Sequence, residues 1–476
     1  MTLREFVKSF SVYGFLPVFT KFASFLLVPL YIRVFSSAEF GIVELVVSAM
    51  GFIVFAINLE FYGAIGRFFF DRESVKDKQV LISTGLGLTF ASAAFVSLLC
   101  FLFIDNLHGM LFTTGDYYQL LQIGMVWSVL SAVSTYLSVV PRYLKKARQY
   151  VLFNAISLVT KLVSTIVFVV VFKFGVAGVL WGNVVGALVS TLLYWFSSSK
   201  YIRFVFSVQD AKEIVKFSIP LAPGVMIIGI YQPIFRSVMG RSYSLEELGL
   251  FSFASRIAMI LGIVETSIRL SWRPLLYENI KKANFGKSYF KISQLVGSLL
   301  LVAGTVIIGL SPEIIHLIGT PEYYPSRLMI GGVLIAQIIQ NLDSLRGFGF
   351  EVAKKTYMVS IITIVSRALG IVFLVFFAKP LGLLGVAIAF MVPLLLSYPI
   401  KVLYTKRFIS VNTSNIREVG LWVLLIIAYV MSIYSSPLYA RILVILACVI
   451  LATPFQQVMM YLNNWKLLKQ TRNVVS

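Results

Sequence analysis

Eleven ionisable side chains lie inside long apolar stretches of this sequence: Lys21, Lys161, Arg236, Arg256, Arg269, Arg346 and Arg367 against Glu44, Glu60, Glu265 and Asp343. At a helix centre in hydrocarbon each charge costs about 2.5–3.5 kcal/mol on the insertion scale, so something polar must face them. Ion pairing absorbs part of the set, and Glu265 with Arg269, spaced i, i+4, can pair on one helix face. Cations outnumber acids, however. The surplus predicts a water-filled, electropositive cavity suited to an anion, with a diphosphate as the candidate. Lys21, Lys161 and Arg367 lie about ten residues from either end of their stretches, roughly 15 Å at the helical rise and too deep to snorkel. Arg236, Arg269 and Arg346 lie within about a turn of an end, where headgroup contact competes with a cavity role.

Other chemistries find little support. Gly286, Lys287 and Ser288 imitate the end of a phosphate-binding loop, but Lys281 stands where its first glycine belongs, so ATP hydrolysis is not expected. No His-Glu-x-x-His or paired Cys/His cluster occurs; His108 and His316 fall at expected helix ends, and Cys100 and Cys448 sit singly in apolar runs. A catalytic domain would need a sizeable loop. The longest connections on the side poor in cations, near Asp105 to Asp116 and Pro312 to Arg327, are too short to hold one, so no enzyme is expected.

The elements that must position these charges are membrane-spanning helices. Of 476 residues 59% are apolar and 13% charged, with a mean hydropathy of +0.90, which excludes a water-soluble fold. Apolar windows fall at 10–32, 41–66, 80–104, 118–140, 150–172, 176–198, 217–239, 249–272, 292–311, 328–348, 357–378, 382–400, 418–434 and 440–462, fourteen in all. The first is too long, and too broken by Lys21 and Pro29, for a cleavable signal, so it reads as a retained helix. Pro17, Pro29, Pro220, Pro223, Pro233 and Pro393 predict kinks. With the N-terminus cytoplasmic, inside connections carry 28 Lys and Arg and outside ones six, which places both termini inside. Most of the formal net charge of +21 is thereby a topology signal, with attraction to anionic membrane lipids, and nucleic acid is not the expected partner.

The sequence also repeats. At offset 208, Arg33, Ser36, Glu39 and Gly41 meet Arg241, Ser244, Glu247 and Gly249; at offset 207, Tyr150, Gly175 and Gly178 meet Tyr357, Gly382 and Gly385. Six helices per repeat is even, so the halves enter from the same side as parallel repeats around a central cavity. The expected organisation is a first lobe over 1–198, a cytoplasmic linker over 199–216, a second lobe over 217–405, and two further helices with a cytoplasmic tail over 406–476.

Several motifs resemble a known family: LVPLYIRVFSSAEFG after the first helix, EIVKFSIPLAPG opening the seventh, GLFSFASRIA opening the eighth, and Trp272-Arg273-Pro274 closing it. They are similar to the polysaccharide transporter family, the oligosaccharide flippases of the multidrug/oligosaccharidyl-lipid/polysaccharide (MOP) superfamily, over roughly residues 5–405. The resemblance implies an all-α, V-shaped two-lobe transporter in the bacterial inner membrane. It would move an undecaprenyl-diphosphate-linked oligosaccharide to the outer leaflet for O-antigen, capsule or exopolysaccharide assembly, alongside a polymerase and a chain-length regulator. In related lipid II flippases, charged residues of the first, second and eighth helices line the cavity; here those helices carry Lys21, Glu44 and Arg256. The expected headgroup site is Lys21, Lys161, Arg236, Arg256, Arg269 and Arg367, with Glu44, Glu60, Glu265 and Asp343 for pairing or for proton or sodium coupling, and no cofactor. The alternatives are a drug or cation antiporter of the same superfamily, which would prefer an acidic cavity, and a polymerase or ligase of lipid-linked glycans.

Overall fold

The computed structural model describes residues 25–453 apart from 26, 145, 281–284, 354 and 409–415; among the described residues it is helical, without strands. Four helices start at a serine whose hydroxyl accepts the backbone N–H of an acid three residues on: Ser36 with Glu39, Ser74 with Asp77, Ser207 with Asp210 and Ser244 with Glu247. The hydroxyl satisfies an orphan donor and the carboxylate complements the helix dipole, so local sequence sets these starts.

The first half comprises α1 (Val28–Val34), α2 (Ser37–Asn58), α3 (Phe61–Phe68), α4 (Val75–Leu102), α5 (Ile104–Leu111), α6 (Tyr118–Leu137), α7 (Val139–Tyr143), α8 (Ala147–Ile166), prolonged by a π turn (Val167–Val171), and α9 (Gly175–Ser198). After α10 (Val208–Ser218) the second half runs through α11 (Ala222–Ser242), α12 (Leu245–Asn279), α13 (Phe285–Gly309), α14 (Ser311–Ile318), α15 (Arg327–Arg346), α16 (Gly349–Val352), α17 (Thr356–Leu381) and α18 (Leu383–Thr405). Two more, α19 (Ile416–Ile433) and α20 (Leu438–Ala452), end the described chain. Among the described residues ten helical stretches are long and apolar enough to cross a membrane, eleven if α10 with α11 forms one broken span, and α20 is a shorter apolar helix. This is a multi-pass membrane protein. Most of the first expected window, 10–32, lies outside the described residues.

The two halves pack alike. In the first, α2 packs on α6, α6 on α9 and α9 on α8; in the second, α12 packs on α15, α15 on α18 and α18 on α17. The repeat is physical at its matched residues. Ser36 and Ser244 both cap, and Gly175 and Gly382 both take a positive φ, 57° and 56°, at helix starts. The halves meet where α2 lies against α11 and α12. There Gly41 and Gly249 cross: a Cβ on Gly41 would strike the Leu245 carbonyl, and one on Gly249 the Ser37 carbonyl. Beside the crossing, the backbone N–H and hydroxyl of Ser37 donate to Glu322 at 2.7 and 2.6 Å.

Two details differ from the sequence reading. The 41–66 window is not one helix, because Leu59 and Glu60 turn left-handed (φ 41° and 63°) and α3 restarts at Phe61. α12 is 35 residues long, well beyond the expected 249–272.

The segment after α9 is strapped to the first half. The Gln79 amide donates to the Lys200 carbonyl (2.7 Å), the Arg203 and Ser207 N–H groups donate to the Ser83 and Thr84 hydroxyls, and Arg72 pairs with Asp210 and Glu213 of α10. The closing pair is fixed to the second half at both ends. Arg346 pairs with Glu418 at 2.6 Å and donates to Ser293, while Arg441 takes Glu313 bidentately and the Gly309 carbonyl. Between these clamps the Tyr429 hydroxyl donates to the Leu328 carbonyl at 2.6 Å, its ring lying where a side chain on Gly331 would sit.

Candidate functional site

Glu44 sits two turns into α2, the helix pressed against both α11 and α12, and its carboxylate is buried. Arg236 of α11 reaches its Oε2 at 2.9 Å and also donates to the Glu44 carbonyl at 2.8 Å; Arg256 of α12 donates to Oε1. One carboxylate of the first half thus holds two guanidinium groups of the second. Two half-buried cations on one buried anion leave a net positive charge, and Arg236 Nε is buried without an acceptor among the described residues. Such a donor in a desolvated place keeps hydrogen-bonding capacity for an anion.

Two further cations complete the field. Lys161 of α8 is half-buried, within electrostatic reach of Glu44 and Arg256, and has no ion-pair partner among the described residues. Its stem passes Gly186 of α9, where any Cβ would meet the lysine Cβ at 2.6 Å; a glycine is what lets the lysine enter. Arg367 of α17 stacks 4.4 Å from the ring centroid of Tyr231 on α11, a geometry in which the ring quadrupole holds the cation without neutralising it. Two cations therefore pair with one carboxylate, Lys161 acts on it from a distance, and Arg367 lines the same cavity.

A cavity of about 330 Å³ opens on this group, lined by Glu44, Gln232, Arg236, Arg256, Gln340 and Arg367 among others. A second, of about 350 Å³, lies inside the second half and shares Gln340 and Arg367 with the first. Asp343, paired with Lys401 at 2.7 Å, lines the second. Of the expected site residues, the structure brings Glu44, Arg236, Arg256 and Arg367 to one cavity, with Lys161 within electrostatic reach of Glu44 and Arg256. Glu60 is elsewhere. It stands at the α2–α3 break, sixteen residues or roughly 24 Å of helix from Glu44, against Tyr62 and Gly63. Lys21 lies outside the described residues, as do the side chains of Glu265 and Arg269. Arg346, near a span end in the sequence, does not snorkel to the headgroups: it is buried and held by Glu418 and Ser293.

Sequence reasoning missed two amides. Gln337 and Gln340 precede the expected Asp343 at spacings of three on α15, and that periodicity was the available signal. Lys401 was missed because α18 runs on to Thr405, five residues past the expected end.

A family described as polysaccharide biosynthesis protein matches residues 30–326, which include Glu44, Lys161, Arg236 and Arg256. The chain belongs to this family. Among solved structures it is similar to a lipid II flippase, MurJ, in an inward closed conformation: TM-score 0.70, 15% identity, covering 95% of this chain and 99% of that one. It is also similar to an inward-facing multidrug resistance MATE family transporter of the MOP superfamily, with TM-score 0.66, 16% identity and coverage of 84% and 95%. An outward-facing structure of a transporter of that kind aligns at TM-score 0.57, 16% identity, over 87% and 96%. The fold is thus the one shared by these transporters and the lipid II flippase, as the motifs of both lobes implied. Among curated proteins none matches significantly.

Proposed function

We propose that this family member is a flippase for an undecaprenyl-diphosphate-linked oligosaccharide, carrying it from the cytoplasmic to the outer leaflet of the bacterial inner membrane for surface polysaccharide assembly. Both termini are cytoplasmic in this reading. One observation carries it: at the seam between the halves one carboxylate holds two guanidinium groups, with Arg367 lining the same cavity and Lys161 within electrostatic reach, so cations outnumber the acid and the site attracts an anion and repels the cationic drugs of an antiporter. The family description and the likeness to a lipid II flippase support the same direction.

In the empty protein Glu44 neutralises part of the field and ties the halves together through Arg236 and Arg256. A diphosphate entering the cavity competes for those guanidinium groups, with Lys161 and Arg367 supplying charge that no carboxylate has claimed. The prenyl tail stays in lipid. Rocking of the halves then exposes the headgroup on the other side. Two negative charges moving outward through about 100 mV, inside negative, release roughly 2 × 2.3 kcal/mol, so the cycle needs no ATP. Proton or sodium uptake at Glu44 or Asp343 is a second energy source, recognised by transport that follows an imposed ion gradient at zero potential. A polymerase and a chain-length regulator would receive the unit outside.

Inverted and right-side-out vesicles test the reading. In a strain lacking the protein, lipid-linked units should stay on the cytoplasmic face and reach the outer face on complementation. Lys161→Ala and Arg367→Ala, correctly inserted, should each lower export at least tenfold. Units that reach the outer face without the protein would refute the assignment.

A further inference from the structure

The second cavity has a composition that neither the anion site nor the lipid explains. Nine of its thirteen lining residues are polar or charged, which excludes an acyl chain, and Asp343 and Glu351 oppose Lys401 and Arg367, which makes it a poor site for a lone anion. It sits at the end of the second half where α15 and α18 finish and α17 begins, joined to the charged cavity at Gln340 and Arg367.

Its hydroxyls are set in a particular way. Thr363 donates to the Val359 carbonyl at 2.7 Å and Ser366 to the Pro393 carbonyl at 2.8 Å. Each proton is spent on the protein's own backbone, so each oxygen retains acceptor capacity for a donor inside the cavity. The Lys401 ammonium supplies donors beyond the one on Asp343, the Gln340 amide offers both kinds, and Phe348 provides an apolar ring. Alternating hydroxyl donors and acceptors on a ring with apolar C–H faces is the chemistry of a sugar. A volume of about 350 Å³ is within the range of about 300–1,000 Å³ found for small-ligand pockets.

We infer that this cavity is a glycan subsite, which takes the sugars nearest the diphosphate while the phosphates lie in the charged cavity, with Arg367 and Gln340 at the junction. The inference rests on the flippase reading above and adds where selectivity among lipid-linked oligosaccharides resides. Sugars with free hydroxyl groups suit the subsite, and its paired carboxylates disfavour uronic acids at that position.

Two lipids separate the possibilities: undecaprenyl diphosphate, which lacks sugar, and the lipid-linked oligosaccharide extracted from the host membrane. Binding of each to the whole purified chain in nanodiscs is compared between the wild type and the double variant Thr363→Val, Ser366→Ala. The variant should lose about tenfold in affinity for the glycan lipid and keep its affinity for undecaprenyl diphosphate. Equal loss on both lipids, or loss on neither, overturns the glycan subsite. Wild-type protein that binds neither lipid overturns the flippase reading itself. Because a merely weakened fold would also lower binding, thermal stability of the variant is measured alongside; a stable variant that has lost the wild-type preference for the glycan lipid is the expected result.

Discussion

Glu44 is the residue on which the site turns. Replacing it with an amide, Glu44→Gln, removes the competitor for Arg236 and Arg256 while keeping the shape. Undecaprenyl diphosphate should then bind about tenfold tighter, and export should fall, because an anion that is not displaced is not released. Weaker or unchanged binding would contradict the competition. The variant also leaves two half-buried guanidinium groups without a carboxylate, so its melting temperature should drop and recover when the lipid is added. At this scale much was legible. Depth alone picked out Lys161 and Arg367, and the match to GLFSFASRIA picked out Arg256. Arg236 was ambiguous because α11 extends three residues past the expected window, which moves the arginine inward. Glu60 misled because its left-handed break carries neither glycine nor proline, the usual punctuation of a helix end.

Among the elements, α19 and α20 had no motif to suggest a role, and long-range pairs were what the sequence could not show. Arg346 with Glu418, and Arg441 with Glu313, join residues 72 and 128 positions apart. Both arginines are buried, so breaking a pair strands a charge. Glu418→Ala should cost about 3–5 kcal/mol, read as a lowered melting temperature, whereas replacing both partners by apolar residues should cost much less. The Glu313 clamp has a pH dependence. Burial pushes its carboxyl up, but the hydrogen bonds and charge of Arg441 outweigh this and hold it below the ordinary 4.5. A depressed value stabilises the fold above the ordinary range, and that contribution is lost as pH falls through the lowered one. Acid should therefore release α20 before the rest, seen as faster amide exchange near Arg441.

For the whole molecule, the doubled architecture was visible in sequence because its matched residues do the same physical work twice. Serine caps, positive-φ glycines and the paired His108 and His316, the latter at offset 208 on the short helices α5 and α14, recur for that reason. A cavity was expected, but its lining and its neighbour were not visible, since they arise where the two copies differ: offset 208 sets Glu44 against Ser252, and offset 207 sets Arg367 against Thr160. Divergence between the copies is what made a binding site out of a symmetric frame.

The crossing of Gly41 and Gly249 has a consequence for how the conformers are populated. Bare backbone meets bare backbone there, so any added side chain acts as a wedge on one face of the seam. Every 1.4 kcal/mol of wedging strain shifts the ratio of closed to open forms about tenfold. A series Gly249→Ala, Gly249→Val should step a pair of spin labels across that face toward longer distances, turning two hydrogen atoms into a graded control of which side of the membrane the protein faces.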